Sequence, residues 1–335
     1  MVKQPTVISL FSGCGGSSLG YKWAGFKELL AIDFDQNSVD TFRLNFPEVP
    51  CWQRDIREVT GQEILDFCHI KKGELDLLDA SPPCQGFSTA GKRKVTDPRN
   101  DLFREFVRLI KELYPRAFIM ENVSGMAKGS MKGIFNEILR ELRRCGYQVK
   151  AKLMNAKWYG VPQSRPRIIF IGFRDDIVGE ITFPQPGTII TLRQALNNVP
   201  ESEKVYPSGK IIDLVQKIKP WQDGGDICRA EGRKETFFNL KRLAWRMPSR
   251  TITKSFGSSR TGLLHPEQNR FLTIAELKRI SSFPDDFQFV GKFSEQWARI
   301  GNAVMPKFMQ AVASHVRETL LDEASVRATR ENPVG

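Results

Sequence analysis

The chain has 335 residues, 41% hydrophobic and 26% charged, which is enough for a substantial core in one large domain or two smaller ones. No apolar run approaches the roughly 20 residues of a membrane helix, and the N-terminus MVKQPTVISLF lacks the pattern of a signal peptide. We therefore expect a cytoplasmic protein with no membrane partner. The net charge of +12 favours a polyanion such as nucleic acid as partner, although an ordinary basic surface would give the same charge.

Strands and helices alternate along the first half of the chain. The glycine-rich stretch SGCGGSSLG separates an apolar run at 7–11 from a helical segment near 19–24, and ELLAIDFD leads into a helix at 36–45. Further strands are predicted at 76–80, 117–123 and 168–173, with helices at 101–113 and 131–145. This alternation predicts an α/β fold with a mostly parallel sheet covered on both faces.

The composition and periodicity of the sequence change near Phe183. Residues 184–265 are rich in Pro, Gly and charge and have weak periodicity, so we expect a second, smaller, irregular domain. Regular spacing returns from about Arg270, where Thr273 and Glu276 have the spacing of a helix capping box. The last predicted helix covers 306–321.

Glycines follow the first predicted strand, and aspartates stand at the end of the second strand and in the run RDI. The spacing of Gly13, Gly15 and Gly16 is not GxGxxG, and no Walker lysine follows. Asp33 ends the second strand, where a carboxylate binds ribose hydroxyls in such folds, and Asp55 in RDI could accept from an adenine amine. An adenosine pocket without a pyrophosphate site fits S-adenosylmethionine better than NAD. Each aspartate has the alternative of a helix N-cap or a solvated loop residue.

Cys84 lies in the stretch DASPPCQGFSTA, at the predicted carboxyl end of strand 76–80. Pro82 and Pro83 stiffen this loop, and a thiol with a pKa of roughly 8.5 needs help to act as a nucleophile. An inert, packed thiol is the alternative. The six cysteines show no CxxC pair, and with only three histidines the sequence predicts no metal site.

Charged side chains follow two other strands at the same predicted edge. Glu121 ends the apolar strand AFIM and must be solvated, paired or catalytic; a structural carboxylate is the alternative. Arg165 and Arg167 in QSRPR alternate, so they are predicted to face one side, toward a base carbonyl, a phosphate or Glu121. A surface salt bridge is their alternative role.

The ordered blocks FSGCGG, DFD, RDI, SPPCQGFS, ENV, QSRPR and GNAV resemble the cytosine-5 methyltransferase family, over most of the chain except about 184–245. The resemblance implies an S-adenosylmethionine-dependent, Rossmann-like methyltransferase. Its catalytic domain would cover 1–184, completed by 285–335. The smaller target-recognition domain would cover 185–270, and 271–300 would be a hinge.

The resemblance also implies a role for each motif residue. Cys84 would attack C6 of cytosine, Glu121 would hydrogen-bond N3 and the exocyclic amine, Arg165 would contact O2, and Arg167 would help position the site. S-adenosyl-L-methionine would be the cofactor and S-adenosyl-L-homocysteine the product, with no metal. The implied cofactor contacts are Phe11, Gly13, Gly15, Asp33, Phe34, Asp55, Ile56, Pro83, Asn302 and Val304.

Double-stranded DNA is the partner that the resemblance implies, with the target cytosine flipped out of the helix. Lys92 and Arg93 lie in a basic stretch similar to the family's active-site loop, and Arg260 and Thr261 in SSRTG resemble its phosphate-contacting turn. Residues 224–270 hold ten Lys and Arg against four Asp and Glu, a balance of +6. A short recognition sequence is expected, with a restriction–modification or orphan role, a separate cognate restriction endonuclease as a candidate partner, and a monomeric state.

Two other functions stay open at this point. A transfer-RNA cytosine-5 methyltransferase would share the fold, but the Cys-Phe-Thr block expected in those enzymes is absent. A catalytically silent nucleic-acid-binding homologue would not need intact Cys84, Glu121 and Arg165.

Overall fold

The computed structural model describes residues 4–83, 102–127, 132–235, 237–256 and 261–321. The chain divides into two compact units, each made of separate stretches of sequence. The first unit is Met1–Asn155, Pro166–Gln185 and Phe308–Gly335, and the second is Ala156–Arg165 and Pro186–Lys307.

A seven-stranded sheet forms the centre of the first unit. In chain order the strands are β1 Thr6–Leu10, β2 Lys27–Asp33, β3 Cys51–Gln53, β4 Leu77–Ala80, β5 Ala117–Val123, β6 Tyr147–Asn155 and β7 Pro166–Arg174. They lie in the order β3-β2-β1-β4-β5-β7-β6. Strands β1 to β5 pair in parallel, and β7 runs antiparallel to both β5 and β6. The predicted mostly parallel α/β sheet is confirmed.

Helices cover both faces of this sheet. They are α1 Gly16–Trp23, α2 Gln36–Asn45, α3 Gly61–Cys68, α4 Leu102–Leu113 and α5 Lys132–Arg144. Helix α11, Pro306–Val316, also belongs to the first unit from Phe308 onward. On one face, Leu78 and Phe118 pack with Phe106 of α4 and Ile138 of α5 in a continuous buried cluster. Neighbouring residues in a strand point to opposite faces, so Asp79 reaches the other face, where α1 lies.

The second unit is less regular, as the composition predicted. It contains the parallel pair β8 Asn239–Arg242 and β9 Thr261–Leu264. Its helices are α6 Leu192–Ala195, α7 Ile212–Lys217, α8 Gly224–Ala230, α9 Ile274–Ile280 and α10 Phe293–Asn302. The predicted capping box is present, because the Glu276 N–H donates to Thr273 Oγ1 and the Thr273 N–H to Glu276 Oε2.

The grouping into units differs from the predicted boundaries at two places. Residues 156–165 and 285–307 group with the second unit rather than with the sheet. Two local interactions explain this. The Ser164 N–H donates to Ser249 O at 2.8 Å, and Trp297 and Ile300 of α10 share a buried cluster with Leu277 of α9.

Candidate active site

The glycine loop follows β1 directly and leads into α1. Phe11, Gly13 and Gly15 have φ of 56°, 56° and 90°, in the left-handed region that glycine tolerates best. A Cβ on Gly15 would lie 2.4 Å from the Phe46 ring, whereas one on Gly13 would meet nothing within 4 Å. The loop therefore packs closely at Gly15 and leaves open space above Gly13.

Asp33 ties this loop to the end of the second strand. Its Oδ2 accepts from the Gly13 N–H at 2.7 Å and its Oδ1 from the Asp35 N–H at 2.9 Å. A carboxylate has about four acceptor sites, so one that is held at a strand end can bind ligand hydroxyls as well as backbone donors. The next residue, Phe34, presents its ring to solvent with 73% of its surface exposed.

Asp55 and Ile56 follow the third strand. Asp55 Oδ1 accepts from the Arg57 N–H at 3.0 Å and its carboxylate pairs with the Arg57 guanidinium. The hydrogen bonds from Arg57 lower the pKa of Asp55. Ile56 is buried, so any contact with an adenine face would have to use its edge. Asp55 therefore caps the turn that follows it and also stands at the position predicted to bind the adenine amine.

These residues fit an adenosine group in three observed respects. An exposed aromatic ring at Phe34 can stack on a base, Asp33 is held at the strand end, and the space above Gly13 is open. Adenine stacking and ribose binding by a strand-end carboxylate need these features. Phe11 is partly buried against the core, which leaves only part of its ring available.

The turn after β4 is held from β5. Asn122 is buried, and its Nδ2 donates to Pro82 O at 3.3 Å, while Pro83 is exposed. Asn122 was not singled out in the sequence, although it stands in the quoted block ENV. Cys84 comes next in the chain and lies outside the described residues, as do Lys92, Arg93 and Arg260.

Glu121 and Arg167 form an ion pair at the ends of β5 and β7. Arg167 Nε lies 2.6 Å from Glu121 Oε1, with side chains that are 13% and 10% exposed. The antiparallel register pairs Val123 with Arg167, which brings the arginine over Glu121 two residues away. A largely buried pair is screened little, so each group fixes the position of the other.

Arg165 has a different environment, although it lies only two residues before Arg167. It is 4% exposed, and its guanidinium donates to three backbone carbonyls: Ile252 at 3.0 Å, Gly301 at 2.9 Å and Ala303 at 3.1 Å. The expectation that both arginines face one side is therefore corrected. Strand β7 begins at Pro166, so the alternation of a strand does not extend back to Arg165.

Asn302 and Val304 belong to the second unit. The first two residues of GNAV are the last two of α10, which ends at Asn302, and its other two lie in the connection to α11, which begins at Pro306. Asn302 is exposed and Val304 is 8% exposed. Thr261 begins β9 opposite Asn239. Contacts of these residues with cofactor or DNA stay predictions.

Two acids of the first unit were not found from the sequence: Asp79, which is buried, and Glu28, which is half-buried. Tyr21 OH donates to Asp79 Oδ1 at 2.9 Å, and Ser18 Oγ donates to Glu28 Oε1 at 2.9 Å. Burial raises the pKa of Asp79 well above its usual value and that of Glu28 to about 7. The signal for Asp79 was its place in the otherwise apolar strand LLDA. Unlike Glu121, neither acid has a cation partner in the part of the chain that the structure describes.

The thiols with a resolved shift are poor nucleophiles. Burial raises the pKa of Cys51 to about 12 and that of Cys68 to about 11, and it also raises the pKa of Cys145. Thiols with raised pKa values remain protonated near neutrality. Within the described ranges, no three His, Cys, Asp or Glu side chains form a metal-binding group, and no helix is long and apolar enough to cross a membrane.

Comparisons with known proteins agree with this arrangement. The sequence matches the family of C-5 cytosine-specific DNA methylases over residues 5–318. Type II methyltransferase M1.HphI of Haemophilus parahaemolyticus is 38% identical over 333 residues, which cover 93% of this chain and 86% of that protein. Type II methyltransferase M.Eco47II of Escherichia coli is 34% identical, with 96% and 81% covered.

A solved structure has the same fold. It is an E. coli prophage protein described as a DNA modification methyltransferase, with a TM-score of 0.74 and 25% identity, covering 94% of this chain and 99% of that one. The family match extends over nearly the whole chain and confirms the resemblance seen in the ordered motifs. The chain therefore belongs to the C-5 cytosine-specific DNA methylase family and is a DNA cytosine-5 methyltransferase.

Proposed function

We propose that this enzyme methylates C5 of a flipped-out cytosine in a short duplex sequence, through a covalent bond between Cys84 and C6. The observation that carries the proposal is the buried Glu121–Arg167 pair at the sheet edge, beside the turn that Asn122 holds through Pro82 O. A carboxylate and a guanidinium fixed together match the donors and acceptors along one edge of a cytosine ring.

In this proposal Cys84 adds as a thiolate to C6, and the electron pair of the C5–C6 double bond moves toward C5. Glu121 hydrogen-bonds N3 and the exocyclic amine, which helps the ring accept the thiolate electrons. S-adenosylmethionine, when bound, supplies the electrophilic methyl group for C5. Loss of the C5 proton to a base and departure of Cys84 restore the aromatic ring.

The contacts of the two arginines revise their proposed roles. Arg165 donates to three backbone carbonyls and is 4% exposed, so a contact with a cytosine would cost it those bonds. Arg167 lies against Glu121, and we assign to Arg167 the stabilisation of charge at O2. Arg165 becomes a positioning residue within the second unit.

The cofactor residues proposed in the first unit are those that fit an adenosine group. Asp33 would hold the ribose, Phe34 would stack on adenine, and the backbone at Gly13 would face the methionine part. Asp55 would need to share its carboxylate between Arg57 and the adenine amine. Pro83, exposed before Cys84, would border the methyl group.

The biological role proposed is DNA modification, either with a separate restriction endonuclease or as an orphan enzyme. Support comes from the relatives, which are named Type II methyltransferases. The surplus of +6 between 224 and 270 is consistent with a recognition unit for duplex DNA.

The test is methyl transfer from labelled S-adenosylmethionine to unmethylated duplex DNA, with transfer RNA assayed alongside and the product identified by mass spectrometry. Label at C5 of DNA cytosine is expected. Cys84→Ser should abolish turnover and the covalent DNA complex while cofactor binding stays unchanged, because the hydroxyl is a far weaker nucleophile. Label in RNA only, or undiminished turnover by Cys84→Ser, would overturn the proposal.

A further inference from the structure

Two cationic side chains of the second unit neighbour each other, and neither forms an ion pair with a carboxylate among the residues that the structure describes. Lys241 is in β8 and Arg250 follows it on the next connecting segment. Both are partly buried, and the positive charge of Arg250 adds to burial in lowering the pKa of Lys241. Like charges held together in a partly buried position repel each other, and salt screens them less than on an open surface.

Trp221 holds the Arg250 guanidinium in place. The guanidinium carbon lies 4.4 Å from the centroid of the Trp221 ring, and Arg250 Nη2 donates to Trp221 O at 2.6 Å. Trp221 has φ of 71°, a conformation that a bulky residue rarely adopts. Its N–H donates to Arg242 O, which fixes this backbone beside β8. The arginine is thus oriented before any ligand arrives.

Part of the donor capacity of Arg250 is unused. Arg250 Nε is buried and has no hydrogen-bond partner among the residues described. Because Nε is buried, a phosphate would have to bind the remaining Nη donors of the guanidinium, which Trp221 orients.

The acids of the surrounding segment have other partners. Asp226 pairs with Arg229, Glu231 pairs with Lys217, and Glu267 accepts from Trp245 Nε1. Asp223 lies nearest in effect, since its charge partly opposes the lowering of the Lys241 pKa, but its carboxylate accepts from the Asp226 N–H as the cap of α8. Asp223 therefore offsets part of the positive charge, and neither cation forms an ion pair with a carboxylate of the described residues.

We propose that Lys241 and Arg250, with the guanidinium oriented by Trp221, bind one backbone phosphate of duplex DNA. The inference rests on the proposed function and adds a phosphate site that no motif pointed to. A guanidinium offers a planar set of donors that matches phosphate oxygens, and an ammonium adds a point charge. Such a contact positions the recognition unit on the duplex without reading a base.

The test compares DNA binding by the full-length enzyme and its Lys241→Met/Arg250→Met variant as salt rises from about 50 to 200 mM. Loss of one phosphate contact should lower the slope of log K against log salt by about 1, to the same extent for duplexes of different sequence. If the two cations share one phosphate, the losses from Lys241→Met and Arg250→Met alone should not be additive.

Arg193→Met is the matched control. Arg193 also stacks on a tryptophan of the second unit, with its guanidinium carbon 5.5 Å from the Trp245 ring centroid, but it is exposed. Its removal should leave the slope unchanged. An equal fall in slope for Arg193→Met would overturn the proposal, because removal of any surface cation would then have the same effect on the slope.

Folding and function can be separated in the same experiment. Thermal unfolding identifies variants that have lost structure, and Arg250→Lys keeps the charge without the planar donor set. An unchanged slope in a folded double variant overturns the phosphate site while the wild type still binds DNA. Failure of the wild type to bind duplex DNA, or preference for transfer RNA, would instead overturn the proposed function on which the site rests.

Discussion

Arg165 and Arg167 stand two residues apart in one motif and have opposite kinds of partner. Arg167 meets a carboxylate, Glu121, at the edge of the sheet, whereas the Arg165 guanidinium donates to three backbone carbonyls of the second unit. The partner of Arg167 is a side-chain carboxylate, which can also bind a substrate. The other binds groups that belong to the framework.

The difference indicates how a short motif can serve two units. The chain passes from the second unit to the first between Arg165 and Pro166. The Gln–Ser–Arg half is joined to 249–252, with the Ile252 N–H donating to Gln163 Oε1 at 3.1 Å and Thr251 Oγ1 donating to Ser164 O at 2.6 Å. Substitutions in the two halves should therefore affect different measurements.

The largest effect is expected from Arg167→Met. It leaves Glu121 largely buried without its cation and removes the group assigned to O2, so kcat should fall roughly 10²–10³-fold. Single-turnover methyl transfer at saturating DNA and cofactor measures this, with calorimetry to confirm that cofactor affinity is kept. Arg167→Lys is the matched variant and should lose less. A normal rate for Arg167→Met would remove Arg167 from the proposed chemistry.

Arg165→Met should mainly destabilise the fold. Three buried carbonyls would each lose a charged donor, which is expected to cost about 2–4 kcal/mol of unfolding free energy. Denaturant unfolding measures the loss. Thr251→Val is a milder companion that removes one hydroxyl donor from the same region. A large fall in single-turnover rate with unchanged stability would instead indicate that Arg165 contacts the reacting cytosine.

The smallest effect concerns Glu28, a carboxylate with no cation partner among the described residues. The pKa of Glu28 is raised from 4.5 to about 7, chiefly by burial, so its favourable contribution is complete below pH 4.5 and is lost as the pH rises through about 7. Glu28→Gln keeps an acceptor for Ser18 and should gain about 2 kcal/mol relative to the wild type between pH 5 and pH 8.

Glu48→Gln is the control for that measurement. Glu48 pairs with Lys22 and its side chain is 53% exposed, so its removal should change stability little across the same pH range. If Glu28→Gln showed no gain toward high pH, Glu28 would be solvated enough to ionise freely. Glu121 and Glu28 would then differ less than their contacts indicate.

Much of this arrangement could be predicted from periodicity and motif order. Strand 117–123 and helix 36–45 have the predicted bounds, because apolar runs and amphipathic spacing determine them locally. The surroundings of Arg165 could not be predicted, since the start of β7 at Pro166 depends on pairing with distant β5 and β6. The site of Lys241 and Arg250 could not be predicted from the sequence either, because neither residue belongs to a motif and their proximity arises from tertiary structure.

The split sequence of the second unit has a practical consequence for exchanging specificities between methyltransferases. A transplant of 186–307 alone would leave Gln163 and Arg165 of the host facing unfamiliar backbone, without the amide and carbonyls that they bind here. Gly301 adds a constraint, since a Cβ there would lie 2.5 Å from Thr253 O. The smallest portable module therefore consists of two pieces, 156–165 and 186–307, moved together.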